Sequence, residues 1–122
     1  MINILIVDDN ANNRMMLRFL LEDYEEEENI EFSIDDACDG LQAVQKCEST
    51  EYKLIFMDIM MPNMDGIEAT RIIKEKDKNV TVIAVSAADD SKELILNVGA
   101  VDYISKPVDV DMLSDKLRTL IV

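Results

Sequence analysis

Residues 2–10 read Ile2-Asn3-Ile4-Leu5-Ile6-Val7-Asp8-Asp9-Asn10, an apolar run that stops abruptly on two carboxylates. A short, nearly continuous apolar run bounded by polar residues has the pattern of a strand buried on both faces. Three more runs repeat the plan. Leu54–Met57 ends at Asp58, Val80–Val85 ends at Ser86, and Val101–Ile104 leads through Ser105 into Lys106 and Pro107. A fifth run, around Ile30, Phe32 and Ile34, alternates with polar residues and contributes only acidic groups, as a half-buried edge strand would.

Helical periodicity fills the spaces between the runs. Met16, Leu17, Leu20, Leu21 and Tyr24 recur at helical spacing within Asn12–Tyr24, and the acidic segment Glu25–Asn29 that follows reads as a solvated connection. A second helix is expected from about Gly40, carrying Leu41, Val44 and Cys47 or Glu48 on successive turns. Pro62-Asn63-Met64-Asp65-Gly66 forms a loop and a helix start, and Ile67–Glu75 continues as helix to a charged end. Ser91–Val98 is the next helix, with Gly99 placed to end it in a left-handed conformation. Asp109 can cap a last helix, whose Val110, Leu113, Leu117, Leu120 and Ile121 fall on one stripe. The pattern is α/β: five strands alternating with five helices in one domain over residues 1–122. Right-handed crossovers make the flavodoxin-like strand order 2-1-3-4-5 the natural topology, with helices on both faces and the two less apolar strands at the edges.

In such a sheet the carboxyl ends of the strands gather along one edge, where open α/β folds bind ligands. Asp8, Asp9, Asp58, Ser86 and Lys106 then converge. Taken singly, each residue has an ordinary role: Asp8 or Asp9 as a turn or helix cap, Ser86 as a cap, Lys106 as a solvated side chain. Together they need a common cause, because three carboxylates held close repel one another and a site built only for packing would avoid them. A divalent cation removes the conflict. Oxygen-only ligands favour Mg2+ (or Mn2+), which binds through one or two carboxylates and a substrate phosphate. A lysine ammonium meets a phosphoryl oxygen as a point charge, and a free carboxylate can attack phosphorus to form a mixed anhydride.

Composition narrows the chemistry. A chain of 122 residues with 48% hydrophobic and 31% charged residues is an ordinary globular domain, able to bury roughly two-thirds of its unfolded surface. Its net charge of -14 argues against nucleic-acid binding, which needs a basic surface to displace counterions. No apolar stretch has the length of a membrane span or the form of a signal peptide, so a cytoplasmic location is expected. Cys38 and Cys47 imply no disulfide framework. Histidine is absent, which removes Ser-His and Cys-His nucleophile pairs and any internal phosphohistidine. A phosphoryl donor would have to be another molecule.

These pieces, in this order, resemble the receiver domain of bacterial two-component response regulators, from Ile2 to about Ile121. The matching motifs are Asp8-Asp9, Met57-Asp58-Ile59-Met60-Met61-Pro62, Asp65-Gly66, Ser86-Ala87 and Lys106-Pro107. The resemblance implies that Asp58 accepts phosphate. It implies that Asp9, Asp58 and the backbone carbonyl of Met60 ligate Mg2+, with Asp8 acting mainly through water. Ser86 and Lys106 would grip the phosphoryl group, and the Lys106–Pro107 bond would be cis. Tyr103 would be the aromatic switch partner of Ser86, moving inward on activation. Met60 and Ala88 would flank the path of the water that removes the phosphate. Position 86 is serine where threonine is common in the family.

The expected function is therefore a switch that takes a phosphoryl group from a histidine kinase or histidine phosphotransfer protein onto Asp58 and later hydrolyses it. Its downstream protein target would bind the fourth helix, fifth strand and fifth helix. A monomer that phosphorylation could convert to a dimer is expected, with no output domain. It would be a stand-alone regulator, a phosphorelay intermediate or a domain excised from a hybrid kinase. Three rivals fit less well. A flavodoxin-like redox carrier would want a Ser-, Thr- and Gly-rich loop after its first strand, where this one is acidic. A degenerate receiver would have lost part of the acid cluster or the lysine. A phosphatase of the haloacid-dehalogenase type would want an aspartate where Met60 stands.

Overall fold

A computed structural model describes residues 1–87 and 91–121. Among these residues, β1 (Ile2–Val7), β2 (Phe32–Ala37), β3 (Leu54–Met57), β4 (Thr81–Ser86) and β5 (Asp102–Ser105) alternate with five helices. The helices are α1 (Ala11–Glu28), α2 (Gly40–Ser49), α3 (Gly66–Lys76), α4 (Lys92–Asn97) and α5 (Val110–Leu120). The strands form one parallel sheet in the order β2-β1-β3-β4-β5. This is the flavodoxin-like topology expected from the alternation of patterns, with the two more polar strands at the edges.

Period-two alternation along the strands separates the apolar residues into two cores. Leu5, Val7, Ile55, Met57, Val82 and Ala84 face one way, toward Ala43, Ala69, Ile73 and Ile95 of α2, α3 and α4. Ile4, Ile6, Leu54, Phe56, Ile83 and Val85 face the other way, toward Leu17 and Leu21 of α1 and Leu113 and Leu117 of α5. Both faces of the central strands are thus covered, which is why those strands read as unbroken apolar runs. Among the described residues no helix is long and apolar enough to cross a membrane.

Several boundaries differ from the sequence reading. Helix α1 does not end near Tyr24 but runs on through the acidic run to Glu28, and Asn29 caps it at a φ of 54°. The four glutamates sit in its last turns, where their charge opposes the helix dipole, so local polarity mimicked a loop. Two of them have partners: a Glu25 carboxylate oxygen accepts from the Phe32 N–H at 2.9 Å, and Glu28 pairs with Arg118 of α5 at 3.1 Å. Tyr24 stacks on Phe32 at a centroid distance of 6.1 Å, which fixes the helix end against the sheet. Strand β2 starts at Phe32 and extends through Asp35 and Asp36 to Ala37, leaving Ile30 outside. Its acids are paired: Tyr52 Oη donates to Asp35 at 2.6 Å, and Asp36 lies 2.6 Å from Arg18. Leu41 and Val110 fall on exposed faces of their helices, off the apolar stripes assigned to them. Gly99 follows α4 with a φ of 123°.

Candidate functional site

Sheet register builds the site. Ala37, Val7, Met57, Ala84 and Tyr103 are successive register partners across the five strands. The next residues of the two central strands β1 and β3 are Asp8 and Asp58. Backbone bonds hold both at that level: the Asp8 N–H donates to the Ala37 carbonyl at 3.1 Å, and the Asp58 N–H to the Val7 carbonyl at 2.9 Å. Asp8 and Asp58 are each only 6% exposed, while Asp9 is open to solvent. One carboxylate oxygen from each of the three lies within 4.8 Å of the other two.

Neither Asp8 nor Asp9 is spent on capping α1. That task falls to Asn10, whose side-chain oxygen accepts from the Asn13 N–H at 3.1 Å. Asp8 Oδ1 accepts from the Asn10 N–H at 2.9 Å, which turns Oδ2 toward Lys106. Lys106 Nζ lies 2.8 Å from Asp8 Oδ2 and 3.3 Å from Asp58 Oδ2. Asp58 Oδ1 accepts from the Ile59 N–H at 2.9 Å. The lysine is itself held by its own N–H, which donates to the Ser86 carbonyl at 3.1 Å, and it precedes a cis bond to Pro107.

Charge is unbalanced in this cleft. Burial raises the Asp58 carboxyl above its ordinary value, the Asp8 charge raises it further, and Lys106 only partly offsets them. Burial alone would lower the Lys106 ammonium. Its hydrogen bond to Asp8 and the charges of Asp58 and Asp8 outweigh that effect and hold it above the ordinary lysine value. The donor set tests whether a metal fits. Three oxygen ligands, two buried and one facing water, with more negative charge than one lysine can neutralise, suit a hard divalent cation that retains water ligands. Among the described residues the cluster holds no soft or nitrogen ligand.

The remaining sequence-derived residues lie around this cleft. Ser86 is buried at the end of β4, and Tyr103 is buried too, its hydroxyl donating to the Ser86 carbonyl at 3.2 Å. The Met60 side chain is exposed, in an open cavity lined in part by Asp9 and Asp65. Ala88 lies outside the described residues. Sequence reasoning missed Arg14, whose guanidinium donates to the Asp8 carbonyl at 2.7 Å and lies 3.5 Å from Asp36. It also missed Asp39 and Asn63, which join the loop after Asp58 to α2. An arginine within the first turns after an acid pair could have drawn attention. The Asp39–Asn63 contact joins residues 24 apart and had no local signature.

With this geometry in hand, comparison with known proteins gives a single answer. Residues 4–118 match the family described as the response regulator receiver domain. The sensor protein EvgS of Escherichia coli strain K12 is 32% identical over 121 residues, which cover 98% of this chain and 10% of EvgS. The chain therefore spans about a tenth of that relative's length. The crystallised receiver domain of sensor histidine kinase PA1611 from Pseudomonas aeruginosa is 31% identical, with a TM-score of 0.85 over 98% of this chain and 96% of that one. That receiver holds a magnesium ion in its active-site cleft. The receiver domain of Ssk1, a response regulator of Saccharomyces cerevisiae, was crystallised with the histidine phosphotransfer protein Ypd1. It is 30% identical to this chain with a TM-score of 0.80, over 98% of this chain and 88% of that one. The chain belongs to the receiver-domain family of two-component signalling systems, whose members occur in response regulators and in sensor kinases alike.

Proposed function

We propose that this receiver takes a phosphoryl group from a phosphohistidine of a partner kinase or phosphotransfer protein onto Asp58. The observation that carries the reading is the Lys106 ammonium lying between buried Asp8 and Asp58 while their oxygens and that of Asp9 stay within 4.8 Å. In the reaction, Asp58 Oδ2 attacks phosphorus as the bond from phosphorus to the donor imidazole nitrogen breaks. The imidazole keeps the electron pair and takes up a proton, and Asp58 becomes an acyl phosphate. The Ile59 N–H holds Oδ1, so Oδ2 is the oxygen left to react. Lys106 can follow the charge from the carboxylate to a phosphoryl oxygen without leaving the cleft, and the Ser86 hydroxyl supplies a further donor.

Asp9, Asp58 and the Met60 carbonyl would hold Mg2+, with Asp8 acting mainly through water. When bound, the ion supplies charge neutralisation for an anionic phosphoryl group among anionic side chains. Ser86 and Tyr103 form the switch, and α4, β5 and α5 form the face that meets the downstream protein. Phosphate loss is tuned at Met60 and Ala88. The acting species is a cytoplasmic monomer, with a dimer as the phosphorylated alternative.

Intact-mass measurement after incubation with acetyl phosphate and Mg2+ tests the reading. One phosphate should be added, and EDTA or Asp58→Asn should abolish it. Phosphate mapped to Ser86 or to another aspartate would overturn the assignment.

A further inference from the structure

The end of strand β2 supplies no member of the acid cluster, yet it is tied to the loop that leaves Asp58. Asp39, just beyond β2, is 6% exposed and uses its two oxygens differently. Oδ1 accepts from the Gln42 N–H at 2.8 Å and so caps α2. Oδ2 accepts from the Asn63 side-chain amide at 2.7 Å. A helix cap needs only one oxygen, which serine or threonine also provides. The second oxygen has a different task.

That task concerns the loop between Asp58 and α3. Its base is closed by the Gly66 N–H, which donates to the Ile59 carbonyl at 2.8 Å. Position 66 must be glycine, because a Cβ there would lie 1.9 Å from the Asp58 carbonyl oxygen. Its apex is tied to α2 twice. Gly40 N–H donates to the Met64 carbonyl at 3.0 Å, an approach so close that a Cβ on residue 40 would meet that oxygen at 2.5 Å. Asn63, at a left-handed φ of 66° that asparagine tolerates, aims its amide at Asp39. Met60 lies between these two fixed points.

We infer that Asp39, acting through Asn63, is a positioning residue of the phosphoacceptor site: the pair fixes the 59–66 loop and thereby the placement of Met60 beside Asp9 and Asp58. The inference rests on the metal-binding reading proposed above. Outer partners that orient a ligand-bearing segment change metal affinity when removed, typically by about 10- to 100-fold.

Amide-NMR titration of the whole chain with Mg2+ provides the test, alongside urea melts in EDTA. Asn63→Gly keeps the net charge and the left-handed backbone and lies in an exposed loop, so the fold is retained. Asp39→Ser keeps a cap on α2 but cannot reach Asn63. Each should weaken Mg2+ binding about tenfold, and combining them should weaken it no further. The exchange Asp39→Asn with Asn63→Asp reverses donor and acceptor and should restore wild-type affinity. Variants that melt earlier in EDTA yet bind Mg2+ as the wild type does would overturn the positioning role and leave the phosphoacceptor reading intact. A wild type that neither binds Mg2+ nor takes phosphate on Asp58 would overturn both.

Discussion

Replacing Asp58 by asparagine should stabilise the metal-free protein. At an effective dielectric of about 20, two unit charges 4.8 Å apart repel by about 3.5 kcal/mol. Asp58 faces Asp8 at no more than that separation, and a more solvated Asp9 as well. Lys106, 3.3 Å away, returns about 5 kcal/mol on the same scale. Burial then adds a cost to the ionised form. These opposing contributions leave the charged carboxylate disfavoured, in agreement with its raised pKa. Asparagine keeps the oxygen that accepts from the Ile59 N–H, and Lys106 keeps Asp8. A gain on the order of 1 kcal/mol is therefore expected. The sign follows from linkage. A raised carboxyl pKa means the unfolded chain binds fewer protons between the unfolded and folded values, so wild-type stability falls as pH rises through that window. The gain in Asp58→Asn should thus be full at neutral pH and shrink as pH falls toward the ordinary aspartate value. Urea melts in EDTA measure it. In Mg2+ at ten times its dissociation constant, the wild type should gain about 1.4 kcal/mol and the variant less. An Asp58→Asn protein less stable than wild type in EDTA would refute the electrostatic conflict on which the metal site rests.

Three further outcomes are expected. Met60→Asn should shorten the lifetime of phosphorylated Asp58 severalfold, because an amide can orient water where an apolar thioether cannot; an equal or longer lifetime by phosphate-release assay would remove Met60 from that role. Gly66→Ala should cost about 3 kcal/mol, since the new methyl collides with the backbone of Asp58 rather than with a movable side chain; a melt within experimental scatter of wild type would contradict the close approach. Asp39 is held below the usual carboxylate range by the Gln42 N–H and the Asn63 amide, so it stabilises the fold above the unfolded pKa and that contribution disappears as pH falls through the folded one. Melts of wild type and Asp39→Asn between neutral and acid pH should therefore converge on acidification.

The fold was legible because its strongest signals are local. Each central strand is covered on both faces, so β1, β3 and β4 appear as unbroken apolar runs whose carboxyl ends are marked by Asp8, Asp58 and Ser86. Parallel pairing does the rest: once Val7 and Met57 are register partners, Asp8 and Asp58 must be neighbours. What escaped depends on contacts between distant residues. The last turns of α1 look like a loop until Arg118 and Phe32 are brought beside Glu28 and Glu25. Asp35 and Asp36 acquire their partners only when Tyr52, Arg14 and Arg18 arrive. Arg14 on the Asp8 carbonyl and Asn63 on Asp39 belong to the same class. The residues proposed to bear the chemistry stand at strand ends and are visible in sequence, whereas those that hold the loops in place are found only by the fold.

Lys106 exposes the other side of the electrostatic argument. In the absence of metal its ammonium is the cation shared by two carboxylates that are each 6% exposed. Removing one partner of a buried pair leaves uncompensated charge, which typically costs about 3 to 5 kcal/mol. Lys106→Met keeps most of the aliphatic stem and deletes the charge, so it isolates this contribution from packing. In EDTA at neutral pH the variant should be destabilised by about 3 kcal/mol, near the lower bound because Asp58 can recover part of the loss by taking up a proton. Mg2+ should return more stability to Lys106→Met than to wild type, since the ion no longer competes with an ammonium for Asp8 and Asp58. Placed on Asp58→Asn, the same substitution should cost less, because one of the two stranded carboxylates is gone. The coupling, read from urea melts of the four proteins, should therefore be clearly non-additive. Additive losses, or a Lys106→Met protein as stable as wild type in EDTA, would show that the ammonium does not hold the acid cluster together.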